Sequence, residues 1–142
     1  MLITGEDKYT EYKREYTKTF LKTVSAYANF HTGCIIFGMD DAGRVIGIED
    51  ADNLRLAIEH GINDAIEPTL YYEIDVQPVD SKSIVILKVF NGEHTPYYCS
   101  GKAYKRNDTS TVQVDRIVLT ELILNGRNIC FDELESDMED LS

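Results

Sequence analysis

The sequence lacks the features that would place the protein in a membrane or in an oxidising compartment. No stretch approaches the roughly 18 consecutive apolar residues of a membrane span, and the charged residues 1–16 are unlike a signal peptide. The three cysteines are odd in number and contain no CxxC pair, which is a poor basis for a disulfide framework or a zinc site. We therefore expect a cytoplasmic protein that does not bind membranes.

Positive charge is also scarce. The chain has 14 Lys and Arg residues against 25 Asp and Glu, a formal net charge of −11, which argues against non-specific binding to duplex DNA. The imbalance is uneven, because residues 132–142, DELESDMEDLS, are rich in acids and contain no base. We expect residues 129–142 to form a disordered, solvated acidic tail. Alternatively, the tail mimics a phosphate backbone and occupies a basic groove of the same chain.

A length of 142 residues fits one domain with its own core, which we place at residues 1–128. Apolar residues at helical spacing predict helices, at Thr17–Asn29, Ala51–Ile66 and Val114–Asn125. Alternating or continuous apolar runs between turn residues predict strands, at Tyr9–Tyr16, CIIFGM, RVIGI, Leu70–Val79, Ser83–Phe90 and Lys102–Arg106. The order β-α-β-β-α-β-β-β-α indicates an α+β fold with helices packed on a mixed, largely antiparallel sheet.

Several short strings occur in a characteristic order. Glu6 and Glu11 precede Tyr12-Lys13; VSAYAN, GMDDAG, PYY and GKAYKRNDTST follow. Together these strings resemble the Schlafen/AlbA-like domain over about residues 6 to 120. One departure is Thr32-Gly33, where the family usually has two glycines, so a close backbone approach at that loop is in question.

The resemblance implies a nucleic-acid-associated module, described in bacterial relatives as DNA-binding and connected with transcription regulation. In vertebrate Schlafen proteins, related domains are metal-dependent ribonucleases whose three acids correspond in position to Glu6, Glu11 and Asp41. Carboxylates suit Mg²⁺ or Mn²⁺, which can polarise a phosphodiester. The alternative is that these are ordinary surface acids, with Glu11 capping a helix or pairing with Arg106.

The segment YKRNDTST is the best candidate for contact with nucleic acid. Lys105 and Arg106 could meet phosphates and Tyr104 could stack on a base. Further cations lie along the first strand and helix: Lys13, Arg14, Lys18 and Lys22. The alternative is a solubilising surface. We thus predict a DNA- or RNA-binding module that uses Lys13, Tyr104, Lys105 and Arg106; a metal-dependent ribonuclease and a protein-interaction module remain open. A homodimer is considered on general frequency alone.

Overall fold

The computed structural model describes residues 7–126. Two helices lie wholly within this range, α1 (Phe20–Phe30) and α2 (Ala51–Ala65), and residues 116–126 are also helical. The strands, in chain order, are β1 (Thr10–Lys13), β2 (Gly33–Phe37), β3 (Ile66–Glu67), β4 (Tyr72–Val79), β5 (Lys82–Val89), β6 (Tyr98–Cys99), β7 (Tyr104–Asn107) and β8 (Ser110–Gln113).

The main sheet has four strands in the order β1-β2-β5-β4. Strands β1 and β2 are parallel, and α1 connects them, as a parallel pair requires a crossover. The β2–β5 and β4–β5 pairs are antiparallel. Two small antiparallel pairs, β3–β6 and β7–β8, lie outside this sheet. The predicted α+β fold with a mixed, largely antiparallel sheet is therefore confirmed.

The main sheet buries side chains on both faces. Alternate residues of β2, Ile35 and Phe37, pack with α1 and α2, and β5 contributes Val85, Leu87 and Val89 to the same cluster. The intervening residues pack on the opposite face in a second cluster, formed by Tyr12, Ile36, Met39, Ile84 and Ile86. Burial on both faces accounts for the continuous apolar run CIIF, where a half-exposed strand would alternate.

Local sequence signals explain the ends of the second helix. Asp50 accepts a hydrogen bond from the Asn53 amide at 3.0 Å, the usual role of an N-cap aspartate. The helix ends at Ala65, where Ile66 turns extended and starts β3, two residues before Pro68. The predicted helix at Ala51–Ile66 is thus confirmed within one residue.

The predicted RVIGI strand is wrong. Only an isolated bridge between Met39 and Val45 forms there. The Asp40 carboxylate instead accepts hydrogen bonds from the Ala42 and Arg44 amides, at 3.0 and 2.9 Å. Such local bonds compete with a strand ladder and hold the segment in a tight turn.

The sequence prediction also missed strand β8. The turn after Asn107 closes a β7–β8 hairpin instead of ending the sheet structure. The predicted tail at 129–142 and the domain boundary at 128 lie outside the described residues. No helix within residues 7–126 is long and apolar enough to cross a membrane.

Candidate functional site

Two polar residues of the VSAYAN string in α1 form hydrogen bonds with the backbone of Tyr97 and Tyr104. The buried Ser25 hydroxyl donates to the Tyr97 carbonyl at 2.7 Å and accepts from the Tyr104 amide at 3.2 Å. The Asn29 side chain accepts from the Tyr97 amide at 2.6 Å and donates to the Tyr97 and Tyr104 carbonyls at 3.1 and 3.4 Å. These bonds fix the position of Tyr104 and hence of β7 against the helix.

A second link joins β1 to β7. The Arg106 side chain is completely buried, and its Nη1 lies 2.6 Å from Glu11 Oε1. Its Nε and Nη2 donate to the Asp7 carbonyl at 3.3 and 3.1 Å, and Nη2 also donates to the Thr10 carbonyl at 3.2 Å. The Glu11–Arg106 pair considered above is thus confirmed. Because every guanidinium nitrogen is engaged inside the fold, we correct the prediction that Arg106 contacts phosphate.

Glu11 is held by further polar neighbours. The Thr23 hydroxyl donates to Glu11 Oε1 at 3.0 Å, and Lys13 Nζ lies 4.0 Å from Glu11 Oε2. Lys13 Nζ also donates to the Thr19 hydroxyl at 2.8 Å. Glu11 therefore serves as a junction between β1, α1 and β7.

The described residues give no sign of an acidic metal site. Asp41 is exposed in the turn after β2, and Glu11 is engaged by Arg106. Within residues 7–126, no three His, Cys, Asp or Glu side chains lie where they could hold a metal ion. Glu6 lies outside the described residues, so the predicted Glu6–Glu11–Asp41 triad stays a prediction, as does its Mg²⁺ or Mn²⁺.

A groove opens between the start of α1, the second half of α2 and the turn between β6 and β7. Its volume is about 770 Å³. The residues that line it are Tyr16, Lys18, Thr19, Leu21, Lys22, Ala57, His60, Gly61, Asp64, Ala65, Cys99, Ser100, Lys102 and Tyr104. We call this surface the α1–α2 groove. It gathers three lysines against one carboxylate, in a chain whose net charge is −11.

Backbone features shape this groove. Gly61 lies inside α2, where glycine is unfavourable by about 1 kcal/mol relative to alanine; a Cβ there would lie 2.9 Å from the Tyr16 hydroxyl. On the opposite wall, Ser100 and Gly101 have positive φ values of 50° and 84° and form the turn that presents Lys102. The glycines thus let Tyr16 approach α2 and let the chain reverse before β7.

Lysine and aromatic side chains meet in this groove. Lys22 Nζ lies 5.7 Å from the centre of the Tyr104 ring, within the range of a cation–π contact. Tyr104 as a whole residue is 8% exposed, and it contributes to the lining beside Leu21. The arrangement offers positive charge beside an aromatic surface.

The four residues predicted to contact nucleic acid do not share one surface. Tyr104 lines the α1–α2 groove, but Lys105 alternates with it along β7 and projects to the other face. Lys13 lies beside Thr19, at the edge of the groove. Lys18 and Lys22 both line the groove, but the shared helical face predicted for them is wrong, because the first helix begins at Phe20 and not at Thr17, and Lys18 lies in the turn before it. Sequence reasoning missed Lys102, although the Ser-Gly turn before it was a usable signal.

Comparison with known structures reproduces the fold. A crystal structure of the DIP2311 protein from Corynebacterium diphtheriae superimposes with a TM-score of 0.63 at 22% identity, covering 81% of this chain but only 23% of that one. A solution structure from Nitrosomonas europaea, the N-terminal domain of a protein described as related to the ATP-dependent DNA helicase RecG, gives 0.61 at 25% identity and covers 80% of this chain and 85% of that one.

Sequence comparison is consistent with the structural one. No curated protein matches the chain. The family model for Schlafen, AlbA_2 matches residues 6–115, a range that includes Glu11, the VSAYAN helix and Arg106. The chain therefore belongs to the Schlafen AlbA_2 family.

Proposed function

We propose that this domain binds nucleic acid through the α1–α2 groove. The observation that supports the proposal is the gathering of Lys18, Lys22 and Lys102 in one concave surface of an otherwise acidic chain. Such a local concentration of cations attracts phosphates even when the net charge repels them, because exposed charges are screened beyond about 8 Å at physiological salt. Its aromatic lining adds a surface for bases.

The family and one structural relative support the same proposal. The family match covers most of the chain, and the Nitrosomonas europaea domain comes from a protein that is described as related to a DNA helicase. Transcription regulation is a more specific role than nucleic-acid binding, because it requires sequence-specific binding to a duplex. Three lysines around a groove supply phosphate contacts but do not read base sequence, so the proposal is restricted to nucleic-acid binding.

The test is a fluorescence anisotropy titration with labelled DNA and RNA at several salt concentrations. With up to three phosphate contacts, the logarithm of the binding constant should fall with the logarithm of salt concentration with a slope of about −2 for a single strand. The Lys22→Glu variant should weaken binding and flatten this slope by about 1. The matched control is Lys88→Glu, because Lys88 is an exposed lysine on β5, outside the groove.

Two results would contradict the proposal. One is the absence of binding at low salt for both DNA and RNA. The other is equal weakening by Lys22→Glu and Lys88→Glu, which would place the contact outside the α1–α2 groove or show only the effect of net charge. The predicted homodimer is a separate question, which sedimentation of the free chain would answer.

A further inference from the structure

The α1–α2 groove has the size of a small-ligand site, not of a duplex platform. Its volume of about 770 Å³ lies within the roughly 300–1,000 Å³ of pockets that enclose one small molecule. Proteins that neutralise a duplex spread their cations along successive phosphates of both strands. Here the three lysines surround a single concavity, which suits one phosphate group or two adjacent ones.

The walls of the groove differ in chemistry. On the α1 side, Lys18 lies in the turn just before the helix and Lys22 in the first turn of the helix. Both are exposed and line the groove, so a phosphate can lie between them. On the α2 side, Asp64 is exposed and repels phosphate. A bound phosphate is therefore favoured on the α1 wall, with the attached group directed across the groove.

The lining beneath these charges is apolar and aromatic. Tyr16, Leu21, Ala57 and Tyr104 contribute to it, and Lys22 Nζ lies over the Tyr104 ring at 5.7 Å. A phosphate held by Lys22 would thus lie beside an aromatic side chain, where a nucleoside attached to it could contact the lining. In a duplex the faces of each base are covered by the bases stacked above and below it. Only an unpaired base can therefore contact the aromatic lining of the groove.

We infer that the α1–α2 groove takes one unpaired nucleoside phosphate, with the phosphate on Lys18 and Lys22 and the base against Tyr16 and Tyr104. This inference rests on the proposed function and specifies its ligand. The nucleotide comes either from a single-stranded stretch of nucleic acid or from a free nucleotide. Both sources share the same chemistry.

The experiment compares three probes on the full chain by anisotropy and competition. They are a labelled oligothymidylate of roughly ten nucleotides, a blunt-ended duplex of the same length, and free thymidine monophosphate as the competitor. We expect the single strand to bind at least about tenfold more tightly than the blunt duplex, a ratio of the size that one base-stacking contact provides. If thymidine monophosphate displaces the strand at equal nucleotide concentration, the free nucleotide is the source; if a large excess is needed, the strand is.

Two variants test the assigned positions. Tyr16→Leu keeps an apolar side chain next to Phe20, whose ring centroid lies 5.4 Å from that of Tyr16, but removes the ring available to a base. It should reduce the preference for the single strand about tenfold while leaving duplex binding unchanged. Tyr71→Leu is the matched control, because Tyr71 is 86% exposed and lies outside the groove.

The outcomes separate this inference from the proposed function. A duplex that binds as tightly as the single strand, with both weakened by Lys22→Glu, overturns the unpaired nucleotide but keeps nucleic-acid binding. A Tyr16→Leu variant that is folded by circular dichroism and keeps the full single-strand preference also overturns the inference. Failure of every probe to bind at low salt removes the proposed function itself.

Discussion

Glu11 and Arg106 are separated by 95 residues in sequence, yet their side chains meet at 2.6 Å inside the fold. Glu11 belongs to β1 at the edge of the main sheet, and Arg106 belongs to the β7–β8 hairpin outside it. The pair therefore ties two separate sheets together across α1. Glu11, which the family resemblance implies is one of three catalytic acids, thus links β1 to the β7–β8 hairpin.

Replacement of Arg106 by methionine should lower the free energy of unfolding by about 3–5 kcal/mol, because Glu11 would be left in the interior without its countercharge. Urea denaturation followed by circular dichroism measures the change. Arg55→Met is the control, since Arg55 is half exposed and lies 4.0 Å from Glu59 on the same helix; its effect should stay within about 0.5 kcal/mol.

A double variant sharpens this prediction. Glu11→Leu combined with Arg106→Met removes both charges, so the loss should be clearly smaller than the sum of the two single losses. If the loss of stability in the double variant equals the sum of the losses in the two single variants, the two side chains do not stabilise each other.

Removal of the Asn29 side-chain amide should also be costly. Asn29→Ala leaves the buried Tyr97 amide without its acceptor and removes a donor from the Tyr97 and Tyr104 carbonyls. Each buried polar group left without a partner costs about 1–3 kcal/mol, so we expect a total loss of about 3 kcal/mol. Asn63→Ala, at an exposed position of α2, should change stability by less than about 0.5 kcal/mol. Comparable losses in the two variants would show that the Asn29 hydrogen bonds to Tyr97 and Tyr104 do not stabilise the fold.

The loop after α1 retains a close approach at Gly33. A Cβ at this position would lie 2.5 Å from the Tyr27 ring, which is fully buried. Gly33→Ala should therefore destabilise the fold by about 1–3 kcal/mol through overpacking, measured as a lower urea midpoint. Gly61→Ala is a contrast, because its Cβ would lie 2.9 Å from the hydroxyl at the far end of the Tyr16 side chain and at ordinary contact distances of 3.6 and 3.7 Å from Phe20 and Leu21. Helix propensity would gain up to about 1 kcal/mol. A neutral Gly33→Ala variant would show that the ring can move aside.

The sequence predicts the architecture well where the signal is local and periodic. Helix α2 appears within one residue because Leu54, Ile58 and Ile62 recur at helical spacing and Pro68 follows. The RVIGI segment has the residues of a strand but does not form one, because Asp40 engages the backbone of its own turn. The two backbone hydrogen bonds that the Asp40 side chain accepts override the strand propensity of Val45, Ile46 and Ile48.

The candidate site is less accessible to sequence reasoning. Because Tyr104, Lys105 and Arg106 are adjacent in the sequence, they were predicted to contact nucleic acid together. Side chains alternate along a strand, however, so Lys105 points away from its two neighbours. The groove instead joins Lys22, Asp64 and Lys102, which come from three distant segments. Only the packing of α2 and the β6–β7 turn against α1 brings them together, and no short string encodes that packing.

Asp40 gives the fold a defined dependence on acid. Its hydrogen bond from the Arg44 amide lowers the pKa of the carboxyl below its ordinary 3.8, aided by the Arg44 guanidinium, whose Nε lies 2.9 Å from Oδ2, and by the Ala42 amide. A carboxyl whose pKa is lower in the folded chain than in the unfolded chain stabilises the fold at pH values above the unfolded pKa. This contribution disappears as the pH falls through the folded pKa.

The melting temperature of the wild-type chain should therefore decline below about pH 4, and the Asp40→Asn variant should lose part of this decline. Asp41→Asn is the matched control, since Asp41 is the exposed neighbour in the same turn. The measurement is a series of melting curves recorded from neutral pH downwards. If the melting temperatures of Asp40→Asn and of the wild-type chain differ by the same amount at every pH, the turn is not the source of the acid sensitivity.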